Sequence, residues 1–201
     1  MRVTVIDYKA GNLTSVLKSL RACGAECEVT DEPGLVRRAG RIVLPGVGHF
    51  AATKLLDERG LTAAVRERVA AGVPFLGICV GMQWLYAGST EAPGVRGLGE
   101  FAAHCERFPG NAEKVPHVGW NSIRVREGTG LFEGVAQDAF VYFTHSYKAP
   151  LTGETAAVTE YIEPFAAAVE RGNVMGVQFH PEKSGGVGLN ILKNFLKWEA
   201  R

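Results

Sequence analysis

Short apolar runs alternate with helical patterns through the first eighty residues, and this alternation restricts the fold more than any other property of the chain. Strand-like runs stand at RVTVI (2–6), CEVT (27–30), RIVL (41–44) and VPFLGI (73–78), and helical spacing is found over about 12–22, 50–58 and 61–71. Strands separated by helices of that length pair in parallel through right-handed crossovers. The expected architecture is therefore α/β, a doubly wound and mostly parallel sheet flanked by helices. A further helix is expected over about 80–88, after which the Gly/Pro-rich stretch STEAPGVRGLG (89–99) ends the alternation. Extended segments near 101–106, 117–125, 139–144, 155–160, 165–170 and 174–179 then follow one another across turns, so the second half adds a region of mixed or antiparallel strands. Leu189, Leu192, Phe195 and Leu196 recur at helical spacing near the end and predict an amphipathic helix docked on the sheet. With 46% hydrophobic residues and no repeat or linker, 1–201 reads as a single domain with a full core.

Charge excludes some partners. Lys plus Arg number 22 against 21 Asp plus Glu, which gives nothing to draw the chain to nucleic acid or to an anionic membrane. The opening MRVTVIDYKAG lacks the apolar core of a signal peptide and no run reaches the length of a membrane span, so a cytoplasmic location is expected. The cysteines Cys23, Cys27, Cys79 and Cys105 form no C-x-x-C pair and have no ligand-spaced histidines; free thiols and no metal site are expected. Residues 46–51, GVGHFA, fit G-x-G-x-x-A and raise a dinucleotide-binding reading. That reading fails because such a loop belongs to the first strand of its unit and needs an acidic residue closing the next; here two strands precede it and the next strand closes in Ile78-Cys79. No cofactor is expected.

Chemistry is concentrated in VPFLGICVGMQWLY. G-I-C-V-G is a nucleophile elbow with cysteine at its centre: Gly77 and Gly81 allow the backbones to crowd, and the turn lifts the Cys79 sulfur above the carboxyl end of a strand. The N-terminus of the helix expected at 80–88 would favour the thiolate. The plainer reading, a small buried cysteine between two helix-breaking glycines, weighs about as much on the pentapeptide alone. A base decides between them. His180, in VMGVQFHPEKS, ends an apolar strand, and Glu182 two residues on points the same way in extended chain, where its carboxylate can fix the imidazole tautomer and stabilise its protonated form. Cys79, His180 and Glu182 thus make a triad by role. His145, in VYFTHSYK, is the rival base, ranked lower because Phe143 and Tyr147, not carboxylates, flank it at i±2.

With these blocks in hand, the sequence resembles the class I, triad-type glutamine amidotransferases. DYKAGNLTSV (7–16), LPGVGHF (44–50), GICVGMQ (77–83), VPHVGWN (115–121), YFTHSY (142–147), QFHPEKS (178–184) and GLNILKNF (188–195) carry the resemblance from end to end, and it is strongest to the glutaminase subunits of histidine biosynthesis. The resemblance implies that Cys79 attacks the side-chain amide of glutamine, that His180 protonates the departing ammonia, and that water releases glutamate from a thioester. It implies an oxyanion hole at Val47, Gly48 and Val80, and contacts to bound glutamine near Gly46, Gln83, Ser146 and Tyr147. It further implies a heterodimer in which ammonia passes to a (β/α)8-barrel cyclase, with Asn12, Trp120, Tyr142 and Lys183 at the interface. The plainer readings of those four are a helix cap, two buried aromatics and a solvated charge. Val80, His49 and Lys148 depart from the family's usual residues, and none belongs to the triad.

Two other readings stay open. One is a glutaminase of another pathway, against which Gly46-Val47-Gly48 and Met82 stand; the other is a catalytically silent regulatory module of the same fold, against which the intact triad stands. Glycines at 46 and 48 would also let the Val47 peptide turn its N–H toward or away from the oxyanion, a route to latency.

Overall fold

The structure, a computed structural model, describes residues 1–9, 13–110 and 113–199. In chain order the strands and α-helices are β1 (Arg2–Ile6), α1 (Leu13–Ala22), β2 (Glu26–Thr30), α2 (Pro33–Val36), β3 (Ile42–Gly46), α3 (Lys54–Glu58), α4 (Leu61–Ala70), β4 (Phe75–Cys79), α5 (Val80–Gln83), β5 (Tyr86–Ser89), β6 (Phe101–Arg107), β7 (His117–Val125), β8 (Ala139–His145), β9 (Tyr147–Lys148), β10 (Thr155–Tyr161), β11 (Glu163–Arg171), β12 (Val174–Val177) and α6 (Gly185–Lys197). One nine-stranded sheet runs β2-β1-β3-β4-β12-β11-β10-β7-β8, and a small second sheet runs β5-β6-β9. The first five strands of the large sheet are parallel neighbours; from β12 onward every pairing is antiparallel. The two regimes expected from the sequence therefore share one sheet.

Chain direction reverses across β1: β2 lies on one side of it and β3 on the other. Right-handed crossovers then put α1 on one face and α2, α3 and α4 on the opposite face, where they pack on one another. Covered on both sides, β3 and β4 are buried throughout, which is why they read as unbroken apolar runs. Helix α6 joins α1 and inserts Ile191, Leu192, Phe195 and Leu196 into the core, roughly 2 kcal/mol of transfer free energy for each side chain.

One expected element is absent. Helix α5 stops after a single turn at Gln83, and Tyr86–Ser89 is a strand instead of the remainder of an 80–88 helix. The carbonyls that would continue the helix are taken by the following loop: Leu98 N–H donates to Trp84 O at 2.6 Å, Phe101 N–H to Leu85 O at 3.1 Å, and Gly97 N–H to Ala87 O at 3.0 Å. Gly97 is required for this approach, since a Cβ there would lie 2.0 Å from Tyr86 O.

Three adjacent parallel strands place the site. Gly46 of β3 is in register with Cys79 of β4, and Val177 of β12 with Ile78. The 46–49 loop, the Cys79 turn and the His180 segment consequently leave the sheet side by side at the carboxyl edge, the edge at which open α/β sheets carry their sites.

Candidate active site

Cys79 holds the backbone at φ 55°, ψ −109°, a strained conformation for a residue with a side chain. Both flanking glycines are obligatory. A Cβ on Gly77 would lie 2.3 Å from Gly81 O, and one on Gly81 would lie 2.0 Å from Leu44 O. The strand-to-turn reversal of the elbow is thus built on backbone contacts that admit no side chain. The Cys79 thiol faces Thr144 O at 4.0 Å, and the Gln178 amide donates to the sulfur at 3.6 Å. Because α5 is one turn long, it offers a much smaller dipole than the expected nine-residue helix.

His180 follows β12 by three residues and is tied to β8: its N–H donates to Tyr142 O at 2.9 Å, and its own carbonyl accepts from Ser184 Oγ at 2.6 Å while that hydroxyl accepts from Tyr142 N–H at 3.0 Å. Its Nδ1 donates to Glu182 Oε1 at 2.8 Å, with both side chains nearly inaccessible. Glu182 sits on the short 3₁₀ turn Pro181–Lys183, which α6 locks from beneath; a Cβ on Gly188 would lie 2.0 Å from Pro181 O. Among the described residues Nε2, also buried, has no partner at hydrogen-bond distance, and Cys79 is the group it interacts with. Burial pulls the imidazole pKa down, but the Cys79 sulfur and the Glu182 carboxylate outweigh it and push it up to about 10.

The rival base is disqualified by its contacts. His145 donates from Nδ1 to Tyr147 O at 2.9 Å, so its Nε2 accepts, at 3.1 Å, from Nδ1 of His117. His117 Nε2 in turn faces the Asn121 amide at 3.4 Å. Every nitrogen of the pair is engaged, and burial lowers His145 to about 3 and His117 to about 4. Neither imidazole is positively charged near neutrality; each keeps a single N–H, on Nδ1.

A cavity of about 260 Å³ opens beside the sulfur, lined by Val47, Gly48, Cys79, Val80, Gln83, Glu91, Pro116, Thr144, His145, Ser146 and Tyr147. Seven of the site residues expected from the sequence, and the rival base His145, therefore line one cavity, while His180 and Glu182 are not among its lining residues. Gly46 does not line it; it lies behind, where a Cβ would come within 2.4 Å of the Tyr8 hydroxyl. Gly48 is exposed with φ 98°, a conformation that suits glycine. His49 also lies outside the cavity, accepting from Ala51 N–H at 3.0 Å as a cap, and Lys148 is buried beside Glu163 at 3.1 Å.

Two polar residues escaped the sequence reading. Glu91 lies in the Gly/Pro-rich stretch 89–99, lines the cavity and accepts from Phe50 N–H at 2.8 Å, fastening the 46–49 loop from the other side. Gln178 is fully buried. Its signal was present: the alternation that sets Glu182 beside His180 also sets Gln178 two residues before it.

Away from the sulfur, β7 and β8 divide cleanly by face. His117, Ile123, Val141, Phe143 and His145 are buried, whereas Val118, Trp120 and Phe140 are more than half exposed. Trp120 is directly opposite Tyr142, with which its ring packs at 6.0 Å edge to face, and Lys183 lies over Tyr142 at 5.5 Å. The plainer reading of Trp120 as a buried aromatic is thereby overturned. Asn12 lies outside the described residues. Cys23 and Cys27 are free and half-buried, and no cluster of three or more potential metal ligands occurs among the described residues. Among the described residues no helix is long and apolar enough to cross a membrane.

Comparison with known proteins fits this geometry. The model of the family described as Glutamine amidotransferase class-I matches residues 4–198. A protein of Deinococcus radiodurans named imidazole glycerol phosphate synthase subunit HisH is 45% identical, over 97% of this chain and 93% of its own length. One of Methanosarcina acetivorans with the same name is 45% identical over 98% of each. Among solved structures, a glutamine amidotransferase superposes with a TM-score of 0.75 at 22% identity, covering 96% of this chain and 98% of its own. PurLQS from Thermotoga maritima does so with 0.74 at 16%, covering 97% of each; both likenesses speak to the fold. The chain belongs to the class I glutamine amidotransferases and, within them, groups with the HisH subunits of imidazole glycerol phosphate synthase.

Proposed function

We propose that this chain is the glutaminase subunit of imidazole glycerol phosphate synthase, hydrolysing glutamine and handing the ammonia to a cyclase subunit in histidine biosynthesis. The observation that carries the reading is the convergence of a strained Cys79, a buried His180–Glu182 pair at 2.8 Å and a glutamine-sized cavity at the same sheet edge.

In the proposed cycle the Cys79 thiolate attacks the side-chain amide carbon, and the carbonyl oxygen becomes an oxyanion held by N–H donors of Val80 and the Val47–Gly48 loop. The His180 imidazolium gives its Nε2 proton to the departing nitrogen, the C–N bond breaks, and ammonia leaves a γ-glutamyl thioester with neutral imidazole. Water then attacks and gives one proton to His180; the second tetrahedral intermediate breaks its C–S bond and expels the thiolate, restoring the ion pair, and the γ-carboxyl of the product loses its remaining proton to solvent as glutamate. Glu182 holds Nδ1–H and stabilises the imidazolium at both proton transfers. Gln83, Ser146, Tyr147 and Glu91 hold the substrate's α-amino and carboxylate groups, with Gly46 setting the path of the loop.

The exposed Val118, Trp120 and Phe140 face, continued by Tyr142 and Lys183, supports docking of the barrel cyclase, because a contiguous apolar face of this kind marks a protein contact. Glutamate formation measured with the chain alone, and again with the cyclase and its nucleotide ligand, tests the reading. Slow turnover alone and much faster turnover in the complex is the expected result; a high rate independent of the partner overturns the latency. Comparing the Val47 peptide orientation in the free and the liganded complex tests the loop as its switch, which one orientation throughout would refute.

A further inference from the structure

We propose that Gln178 is a catalytic residue: its side-chain amide donates a hydrogen bond to the Cys79 sulfur and holds it as the attacking, and later the departing, thiolate. The inference deepens the glutaminase reading and rests on it.

Amide orientation, which atom positions alone do not fix, is settled here by the network. A backbone carbonyl can only accept, so the atom of Gln83 at 2.9 Å from Tyr147 O is its NH₂. The same NH₂ lies 3.0 Å from the near end of the Gln178 amide, which must therefore be the carbonyl oxygen Oε1. The other end of Gln178, its NH₂, is then directed at the Cys79 sulfur at 3.6 Å. The chain runs from Tyr147 O through two amides to the sulfur, and reversing either amide would set donor against donor or acceptor against acceptor. Gln178 has no exposure to water, so solvent does not compete for its side-chain N–H, and its backbone is fixed by the Gln178 N–H to Ala167 O bond of 2.8 Å.

The consequence for the sulfur is electrostatic. A hydrogen bond to the charged form of a group favours that form, and it is stronger when the acceptor is an anion. The one-turn α5 contributes little dipole at Cys79, and Gln178 supplies a donor in a water-free position instead. The bond has nothing comparable to do in the thioester, where the sulfur is neutral, and it re-forms at full strength as the thiolate leaves. Gln178 is thus aimed at both chemical steps, while Gln83 spends its NH₂ on holding Gln178 and keeps its own Oε1 for the cavity.

Two variants of the full chain separate this role from packing. Gln178→Met conserves volume and removes the donor; Gln178→Glu conserves shape, keeps an acceptor for Gln83 and turns an anionic oxygen toward the sulfur. The measurement is the rate of Cys79 alkylation by iodoacetamide, mapped to residue 79 by mass spectrometry, alongside kcat and KM for glutamine with the cyclase partner and a thermal melt. The expected result at pH 7 is about tenfold slower alkylation in Gln178→Met, the factor that losing one hydrogen bond to a charged group carries, and a larger loss in Gln178→Glu. Both losses recover as pH is raised, kcat falls in step with alkylation, and KM is little changed. Parental alkylation in a folded Gln178→Met overturns the proposal, as does a loss that high pH does not recover. Retained turnover in Cys79→Ala would instead overturn the glutaminase reading itself.

Discussion

Two buried histidine sites lie within one sheet edge of each other and end in opposite protonation states. His180 sits on the turn after β12 with a carboxylate on Nδ1 and a sulfur beyond Nε2; His145 ends β8 with a carbonyl on Nδ1 and a second imidazole on Nε2. Burial acts on both in the same direction, against the charged ring. What separates a pKa of about 10 from one of about 3 is whether an anion is within reach: the Cys79 sulfur and then the Glu182 carboxylate raise His180, whereas His145 has Tyr147, not a carboxylate, two residues on. A histidine at a strand's carboxyl end is therefore not by itself a general base. The carboxylate makes it one.

The sharpest way to break this contrast is at His180. Cys79→Ala abolishes glutamate formation and leaves partner binding intact, and His180→Gln lowers kcat about 10³-fold or more, because a positioned acid and base of this kind contributes on the order of 10²–10⁴. The matching change at the other site, His145→Gln, retains most of kcat in whatever fraction folds. If His145→Gln is as damaging per folded molecule as His180→Gln, the assignment of the two sites is wrong. Glu182→Gln is milder, about 10- to 100-fold in kcat, since it removes an orienting carboxylate and leaves the base in place. It also carries a pH signature. His180 is raised, so it acts as an acid below about 10 and activity falls as pH rises through that value; without the Glu182 charge, the alkaline limb moves to lower pH. An unmoved limb would show that the carboxylate acts through structure alone.

The contrast was half legible in the sequence. Cys79 was found because glycines two residues either side mark an elbow, and His180 and Glu182 because alternation in an extended chain puts i and i+2 on one side. The parallel half of the sheet was legible for a related reason: strands covered on both faces must be apolar throughout, as β3 and β4 are. Contacts that cross the chain were not. Helix α5 was overestimated because Trp84-Leu85-Tyr86 fits a helix, and only the hydrogen bonds from residues 97–101 turn that segment into a strand. The His117–His145 pair joins residues 28 apart through the β7–β8 register, and the Gln83–Gln178–Cys79 chain joins three separate segments; alternation could mark the side on which Gln178 lies, but no local pattern announces the partners in either case. For Trp120 the sequence left two readings, an interface residue by resemblance or a buried aromatic; only the register, which puts it on one face with Val118 and Tyr142, decides for the exposed side.

A smaller effect tests the neutral site. His117 is sandwiched between Tyr161 and Phe143, at ring distances of 4.0 and 4.7 Å, and the pair has no carboxylate to stabilise a proton. Both pKa values are depressed in the fold, to about 4 and about 3, while the unfolded chain titrates near the ordinary imidazole value of about 6.5. Above that value neither state binds the protons and the contribution to stability is complete. As pH falls below it, the unfolded chain takes up protons that the fold refuses, and stability is lost until the folded values are reached. The loss is on the order of 2 kcal/mol for each histidine by pH 5, readable as a falling midpoint of urea denaturation between pH 7 and 4.5. Replacing both by Gln lowers stability at pH 8 through lost packing but flattens that acid slope, because no proton is then excluded. His180 carries the opposite sign: stabilised in its charged form, it contributes fully below about 6.5 and loses its contribution only as pH rises toward 10. The same acid titration that loosens the β7–β8 pair thus leaves the catalytic histidine's own contribution intact, and an acid slope that survives removal of both His117 and His145 would place the excluded protons elsewhere.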